Sequence, residues 1–242
     1  MKNELIKNHI IDWLNQYCIS SKKDGFVIGI SGGIDSALTS TLRALTSKKT
    51  ICLSMPINQN TNQIERANEH IRFLKKQFKN VVSIDLNLND SFNHFKTELS
   101  KYCSSEISFV NSKSRLRMVS LYCIAQEKNV LVTGTGNKVE DFGIGFYTKY
   151  GDGGVDLSPI ADLMKSQVKE LAEFLNISKN IICTKIKCIV LNKNSMLIIT
   201  SCINQSTLSR DIQTSRITGY IICKVNRLSC SIHPNKSSSI TI

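Results

Sequence analysis

Phe26-Val27-Ile28-Gly29-Ile30-Ser31-Gly32-Gly33-Ile34-Asp35-Ser36-Ala37-Leu38 is the stretch whose reading decides the fold. Phe26 to Ile30 is apolar and partly β-branched, bounded by Gly25 and Gly32, as expected of a strand buried on both faces. Ser31-Gly32-Gly33 then lets the backbone turn tightly, with no Cβ to block an approaching anion. Asp35 and Ser36 lead into an apolar-periodic segment, Ala37 to Leu45. The turn therefore falls at a helix N-terminus, where unpaired N–H groups and the helix dipole favour phosphate. No Gly-Lys-Ser/Thr follows, so this is not a Walker loop, and the glycines are not spaced as in the dinucleotide fingerprint. The plain alternative is an ordinary strand-to-helix turn.

Working outward, the same two-layer pattern repeats. Leu5, Ile6, Ile10, Trp13, Leu14 and Tyr17 recur at helical spacing, with Trp13 expected as a core anchor. Ile51 to Met55 reads as a second strand, Asn58 to Asn62 as a loop opening a helix through about Phe78, and Val81 to Leu86 as a third strand. Asn89-Asp90 can cap a helix to about Tyr102. A helix over Lys113 to Lys128 should turn Leu116, Val119, Ser120, Cys123 and Ile124 inward, and Val130 to Thr133 is a fourth strand. Asp162 can cap a last regular helix with Leu163, Val168, Leu171 and Leu175 as its stripe. Strands alternating with helices predict an α/β fold, a parallel sheet with helices on both faces, Rossmann-like, with ligands beyond the carboxyl ends of its strands.

A chain of 242 residues can bury a full core, and no apolar run approaches the ~20 residues needed to span a bilayer. The start, Met1-Lys2-Asn3-Glu4, has no signal-peptide core, so a cytoplasmic protein with no membrane partner is expected. The net charge of +12 is uneven. Residues 1–173 hold 22 Lys/Arg against 18 acids, whereas residues 174–242 hold 9 against one, Asp211, together with five of the nine cysteines. Past Ile182 regular patterning fades and no element boundary is legible. Two regions are expected: a 1–182 domain and a 183–242 atypical basic tail.

Two further clusters carry chemistry. Asn111-Ser-Lys113-Ser-Arg115-Leu-Arg117-Met118 opens a helix with three cations, Lys113 and Arg117 sharing a face and Arg115 pointing elsewhere. Thr133 to Glu140 and Gly145 to Asp156 place glycines, hydroxyls, lysines and carboxylates in one long loop region, with Phe146, Tyr147 and Tyr150 to bury. His9, His70, His94 and His233 are scattered and form no metal spacing.

The Ser31 to Ser36 turn resembles the SGGxDS pyrophosphate loop of the ATP pyrophosphatases, a group of adenine nucleotide alpha hydrolase-like fold. Together with Arg115-Leu-Arg-Met118, Gly134-Thr-Gly-Asn137, Glu140 and Thr148-Lys-Tyr-Gly-Asp-Gly-Gly154, in this order, it resembles ammonia-dependent NAD synthetase over about residues 5 to 182. The resemblance implies that the nicotinate carboxylate of deamido-NAD attacks the α-phosphate of ATP and that ammonia displaces AMP from the acyl-adenylate. It implies ATP and pyrophosphate contacts at Gly29, Ile30, Ser31, Gly32, Gly33, Ile34, Asp35, Ser36, Thr135 and Lys165. Deamido-NAD contacts are implied at Arg115, Lys149 and Asp156, Mg²⁺ carboxylates at Asp35 and Glu140, and a homodimer. No residue is implied as a covalent nucleophile. The plain alternatives are a helix-capping Asp35, a solvated Glu140 and a surface Lys165.

A chain this short leaves no room for a preceding glutaminase region, so free ammonia is the expected nitrogen donor. The family's later nucleotide loop, acidic stretch and late His-Lys pair have no counterpart after Ile182; His233 precedes Pro234 instead. A shifted reading frame would produce such a break, and an impaired nucleotide-binding remnant or a disordered tail are its corollaries. A tRNA-modifying pyrophosphatase with a basic RNA-binding tail is the rival. It is weakened by the absence of any CxxC and by a tail whose one aromatic residue past Phe174 is Tyr220.

Overall fold

Four short β-branched runs pair in parallel because each is separated from the next by a helix long enough to return the chain to the same edge. They are β1 (Gly25–Gly29), β2 (Lys49–Ser54), β3 (Val81–Asp85) and β4 (Val130–Val132), in the order β3-β2-β1-β4. The structure, a computed structural model, describes residues 1–183, 187–192 and 195–200. Connecting the strands are α2 (Ile34–Ala44), α3 (Thr61–Gln77), α4 (Asn89–Leu99) and α5 (Glu106–Lys128). Before them comes α1 (Lys2–Ser20), and after them a π-helical turn (Val139–Ile144), α6 (Lys165–Phe174) and α7 (Lys179–Ile182).

The alternation of side chains across β1 and β2 builds a core on each face. Val27, Ile51 and Leu53 face a layer that includes Phe92 of α4 and Phe109 and Ala125 of α5. Ile28 and Cys52 face the opposite way, with Ala67, Ile71 and Leu74 of α3. The expected α/β class and double covering are present. So is the decisive feature for ligand placement: the order reverses between β1 and β4, and the turns leaving both strands open on one edge.

Several local expectations were displaced. Trp13 is 37% exposed, because α1 buries the narrow row Ile10, Leu14, Cys18, and Trp13 stands at its margin against Tyr17. The fifth helix begins at Glu106 rather than Lys113, since Phe109 buries in the first core; Val119 and Cys123 are exposed, while Leu116 and Ile124 pack at the rim. Helix α4 stops at Leu99, and Asn87 rather than Asn89 or Asp90 accepts the first-turn N–H, that of Asn89. Asp162 does not cap α6, which starts three residues later where Gln167 Oε1 accepts the Met164 N–H at 2.8 Å.

The chain divides into two compact units, Met1–Thr184 and Lys185–Ile242. In the second, strands β5 (Lys187–Asn192) and β6 (Ser195–Thr200) pair antiparallel, Lys187 opposite Thr200, where no strand was legible. The expectation of a disordered basic tail otherwise falls outside the described residues. Among the described residues no helix is long and apolar enough to cross a membrane.

The helix that follows β1 is fixed to α3 by a buried polar contact, Ser40 Oγ to His70 Nε2 at 2.9 Å. Burial pulls the His70 imidazole down to about 4, against a smaller upward pull from a hydrogen bond to the Ala37 backbone. Between pH 6.5 and about 4 the unfolded chain therefore carries a proton that the native state refuses. Stability is complete above that window and falls as pH drops through it, by at most about 1.4 kcal/mol per pH unit from this group. His70→Gln, which keeps an amide opposite Ser40, should flatten the pH dependence of urea-unfolding free energy across that window; an unchanged slope would refute the assignment.

Candidate nucleotide and metal site

The turn after β1 is shaped by what packs behind it. Gly32 adopts φ +79°, and a Cβ there would strike the carbonyl of Gln63 in α3, so only glycine fits. Arg66 Nε donates to Gly32 O at 3.3 Å, holding the turn from the same helix. Within the turn the serines satisfy one another: Ser31 N–H donates to Ser36 Oγ at 3.2 Å, the two hydroxyls lie 3.0 Å apart, and Ser36 Oγ donates to Gly33 O at 2.9 Å. Gly33 is the N-cap of α2 and offers no side chain, leaving the first-turn amides of Ile34, Asp35 and Ser36 without intrahelical partners.

Three charged side chains from three distant segments meet beside this turn. Asp35 lies in the first turn of α2, Glu140 in the π-helical turn and Lys165 at the start of α6. Lys165 Nζ is 2.6 Å from Asp35 Oδ2 and 3.0 Å from Glu140 Oε1, and the three side chains are 28%, 14% and 29% exposed for Lys165, Asp35 and Glu140. Burial pushes the Glu140 carboxyl above the usual range, with Asp35 adding to the rise and Lys165 and Asn137 opposing it. Burial works against the Lys165 charge too, but Asp35 and Glu140 outweigh it and hold the ammonium above its ordinary value.

Asn137 sets this geometry. It is fully buried, donates from Nδ2 to Asp35 Oδ1 at 3.0 Å, and accepts at Oδ1 from the N–H groups of Val139 and Glu140, each at 3.1 Å. One amide thus orients both carboxylates.

Next to the charged cluster is a cavity of about 250 Å³ at the β1/β4 reversal, lined by Gly29, Ile30 and Ser31 after β1, Thr135 after β4, and Arg117 and Met118 of α5. Arg117 Nε donates to Met55 O at 2.9 Å, and burial lowers its pKa. Lys113, on the same face, lies over the Phe92 ring at 5.3 Å.

The remaining sequence-predicted residues lie on a more open wall. Arg115 is exposed, and its Nε donates to Lys149 O at 3.1 Å; Lys149 is exposed, its ammonium 5.0 Å from the Tyr150 ring. Asp156 accepts from Tyr122 OH at 3.0 Å and from Val132 N–H at 2.8 Å, one bond to each oxygen, which ties its loop to α5 and β4 and pushes the Tyr122 phenol up to about 12, burial contributing most. Sequence reasoning did not anticipate the clasp that holds this wall: Asp152 Oδ1 accepts from Ser114 Oγ at 2.7 Å and from Thr148 N–H at 2.9 Å, and Thr148 Oγ1 donates to Asn111 Oδ1 at 3.0 Å. Nor did it assign roles to Asn137 or Arg117, although both stand inside motifs it singled out.

Comparison with known proteins places this geometry in a family. The family model for NAD synthase matches residues 6–187. The chain is 40% identical over 181 residues to an NH(3)-dependent NAD(+) synthetase of Saccharolobus solfataricus, covering 74% of this chain and 63% of that protein. It is 39% identical over 185 residues to the NH(3)-dependent NAD(+) synthetase of Malacoplasma penetrans, covering 75% and 72%. The chain therefore spans somewhat under two thirds of the first relative's length and somewhat over two thirds of the second's. Among solved structures it is similar to NMN synthetase from Francisella tularensis, with 33% identity and a TM-score of 0.71 over 77% of this chain and 76% of that one. It is also similar to the NH3-dependent NAD synthetase of Campylobacter jejuni, with 32% identity and a TM-score of 0.68 over 75% and 77%. With three quarters of its length matched and its parallel sheet shared with these structures, the chain belongs to the NAD synthase family.

Proposed function

We propose that this protein is an ammonia-dependent, amide-forming ligase: ATP activates the nicotinate carboxylate of deamido-NAD, and ammonia converts the acyl-adenylate to NAD with release of AMP. The observation that carries the reading is the convergence of Asp35, Glu140 and Lys165 beside a glycine turn at a helix N-terminus. Leaving pyrophosphate gains negative charge, which the free amides of Ile34 to Ser36 at the α2 N-terminus would stabilise, with the Lys165 ammonium close by. Gly29, Ile30 and Thr135, at the cavity rim, would seat the rest of the ATP. Arg115, Lys149 and Asp156 belong to the acceptor side, where the first two supply cations for the phosphates of deamido-NAD.

Asp35 Oδ2 and Glu140 Oε1 are hard oxygens that already share one cation, a donor set that fits Mg²⁺. Two protein carboxylates suit an ion whose remaining positions are completed by substrate phosphates. Bound there, the ion would neutralise phosphate charge. The chain's own contribution is to hold two nucleotides in line and keep charge balanced, with no covalent nucleophile.

The reading extends to a cytoplasmic homodimer. Similarity to an NMN synthetase raises nicotinate mononucleotide as a second acceptor, since the amide-forming end of the two substrates is the same. We further propose that the sequence from about residue 183 onward soon leaves the family: the family match ends at residue 187, and the basic, cysteine-containing composition takes over there.

Incubation with ATP, Mg²⁺, ammonium and either deamido-NAD or nicotinate mononucleotide should yield AMP together with the amidated product, deamido-NAD being the better acceptor. Asp35→Ala should lower turnover by about 10²–10³-fold, because the cation that neutralises phosphate charge loses a ligand; an unchanged rate would overturn the site. Asn137→Ala should cost about 10–100-fold while leaving the other contacts of Lys165 in place, because the carboxylates lose their orientation and not their charge. Sequencing the coding DNA should reveal a frame disruption near codon 183 relative to close relatives, and an undisturbed frame would discard the proposed origin of the tail.

A further inference from the structure

The three-way contact of Lys165 with Asp35 and Glu140 raises a problem for the reading above. The ammonium occupies the same oxygens that a divalent cation would use: Asp35 Oδ2 at 2.6 Å and Glu140 Oε1 at 3.0 Å. The other Asp35 oxygen, Oδ1, already accepts from Asn137 at 3.0 Å. A divalent cation and an ammonium crowded onto the same half-buried carboxylate oxygens repel each other, and that repulsion is poorly screened there. Without an ammonium or a metal, the carboxylates would face each other unneutralised. The site can therefore be neutralised in two ways, by the Lys165 ammonium or by a divalent cation.

We infer that Lys165 is an exchangeable counter-cation: it holds the Asp35–Glu140 pair in the free protein and yields it to a divalent cation only when a polyphosphate arrives to take the ammonium. The positions of the elements make the exchange local. Lys165 is the first residue of α6, whose start is fixed by the Gln167–Met164 hydrogen bond and whose body packs against α2. Only the four-carbon stem needs to move. Asp35 follows the glycine turn by two residues, so an ammonium that leaves it is already at the N-terminus of α2, where phosphate oxygens are favoured. Glu140 and Asp35 do not need to move, because Asn137 holds both segments in either state.

The consequence is a binding order. Metal alone must evict a lysine that has nowhere better to go, so it binds poorly. Metal with nucleotide meets a lysine that gains a phosphate partner as it leaves. The two ligands then bind with positive coupling, and the coupling resides in one side chain. This inference rests on the reading of Ser31 to Ser36 as the polyphosphate site.

Mn²⁺ binding to the full chain, followed by the electron paramagnetic resonance signal of the free ion, tests it without turnover. Wild type should bind Mn²⁺ weakly alone and about tenfold or more tightly with α,β-methylene-ATP. Lys165→Met should bind Mn²⁺ about tenfold more tightly than wild type in the absence of nucleotide, and the nucleotide should then add little. Lys165→Arg, which keeps a cation, should resemble wild type, and adding Asp35→Asn to Lys165→Met should abolish the gain. Circular dichroism melts establish that each variant is folded. Equal or weaker Mn²⁺ binding by a folded Lys165→Met overturns the inference, as does a gain that survives Asp35→Asn. If the analogue binds neither protein but Lys165→Met still binds Mn²⁺ more tightly, the nucleotide assignment fails while the competition stands.

Discussion

The contact between Asp35 and Lys165 spans 130 residues of sequence and closes at 2.6 Å. Much of the site's arrangement depends on it. Asp35 is carried by the helix that begins at the glycine turn, and Lys165 by a helix laid down after the sheet is complete. Their meeting requires that α2 and α6 pack against each other, as they do. The attraction is strong because both groups are mostly withdrawn from water, and it is not gratuitous, because a lone Asp35–Glu140 pair there would repel. The site is thus a charge-balance problem that the fold solves with a movable cation.

Topology explains why the solution sits where it does. In a sheet ordered β3-β2-β1-β4, the chain leaves β1 toward one side and β4 leaves toward the other, so the two turns diverge and a hollow opens between them. The β1 side supplies amides and Asp35; the β4 side supplies Thr135, Asn137 and Glu140. A short parallel bridge between Thr133 and Leu157, with Gly134 N–H donating to Leu157 O at 2.8 Å, carries the loop back along β4. That return lets one loop region contribute both Glu140 to the buried cluster and Lys149 to the open wall.

How much of this was legible depended on whether the cause was local. The glycine turn, the strand before it and the helix after it could be read from thirteen consecutive residues, since turn chemistry, burial and capping are neighbour effects. The clustering of Asp35, Glu140 and Lys165 was reached through family resemblance, because spacings of 105 and 25 residues carry no physical signal by themselves. Trp13 failed as a core anchor for a related reason: periodicity identifies a helix's apolar side, but only the packing partner decides how wide a strip is buried. Helix α5 is the extreme case. Its apolar residues are spread around the axis, so its inner face was set by the sheet and α4 rather than by its own pattern, and Val119 and Cys123 were misassigned. Asn137 was quoted within a motif yet given no role, because an amide that orients two acids looks in sequence like any loop asparagine.

The two halves of the site also differ in how tightly they are built, and that difference separates two competences. On the nucleotide side, Ile30, Ile34, Ser36 and Asn137 are buried, and the turn's hydroxyls are mutually bonded. On the acceptor side, Arg115, Lys149 and Asp156 are exposed, and their wall is held by the hydrogen bonds of Asp152, Ser114 and Thr148. A preformed cradle loses little entropy when it binds, whereas an open wall must be ordered by its ligand or by further protein contacts. The glycine turn therefore needs little reorganisation to take an anion, whereas alignment across the open wall depends on what else closes over that side. Wherever a reaction relies on alignment rather than on a covalent nucleophile, a chain can keep such a cradle intact and still lose most of its rate through misplacement of the acceptor alone.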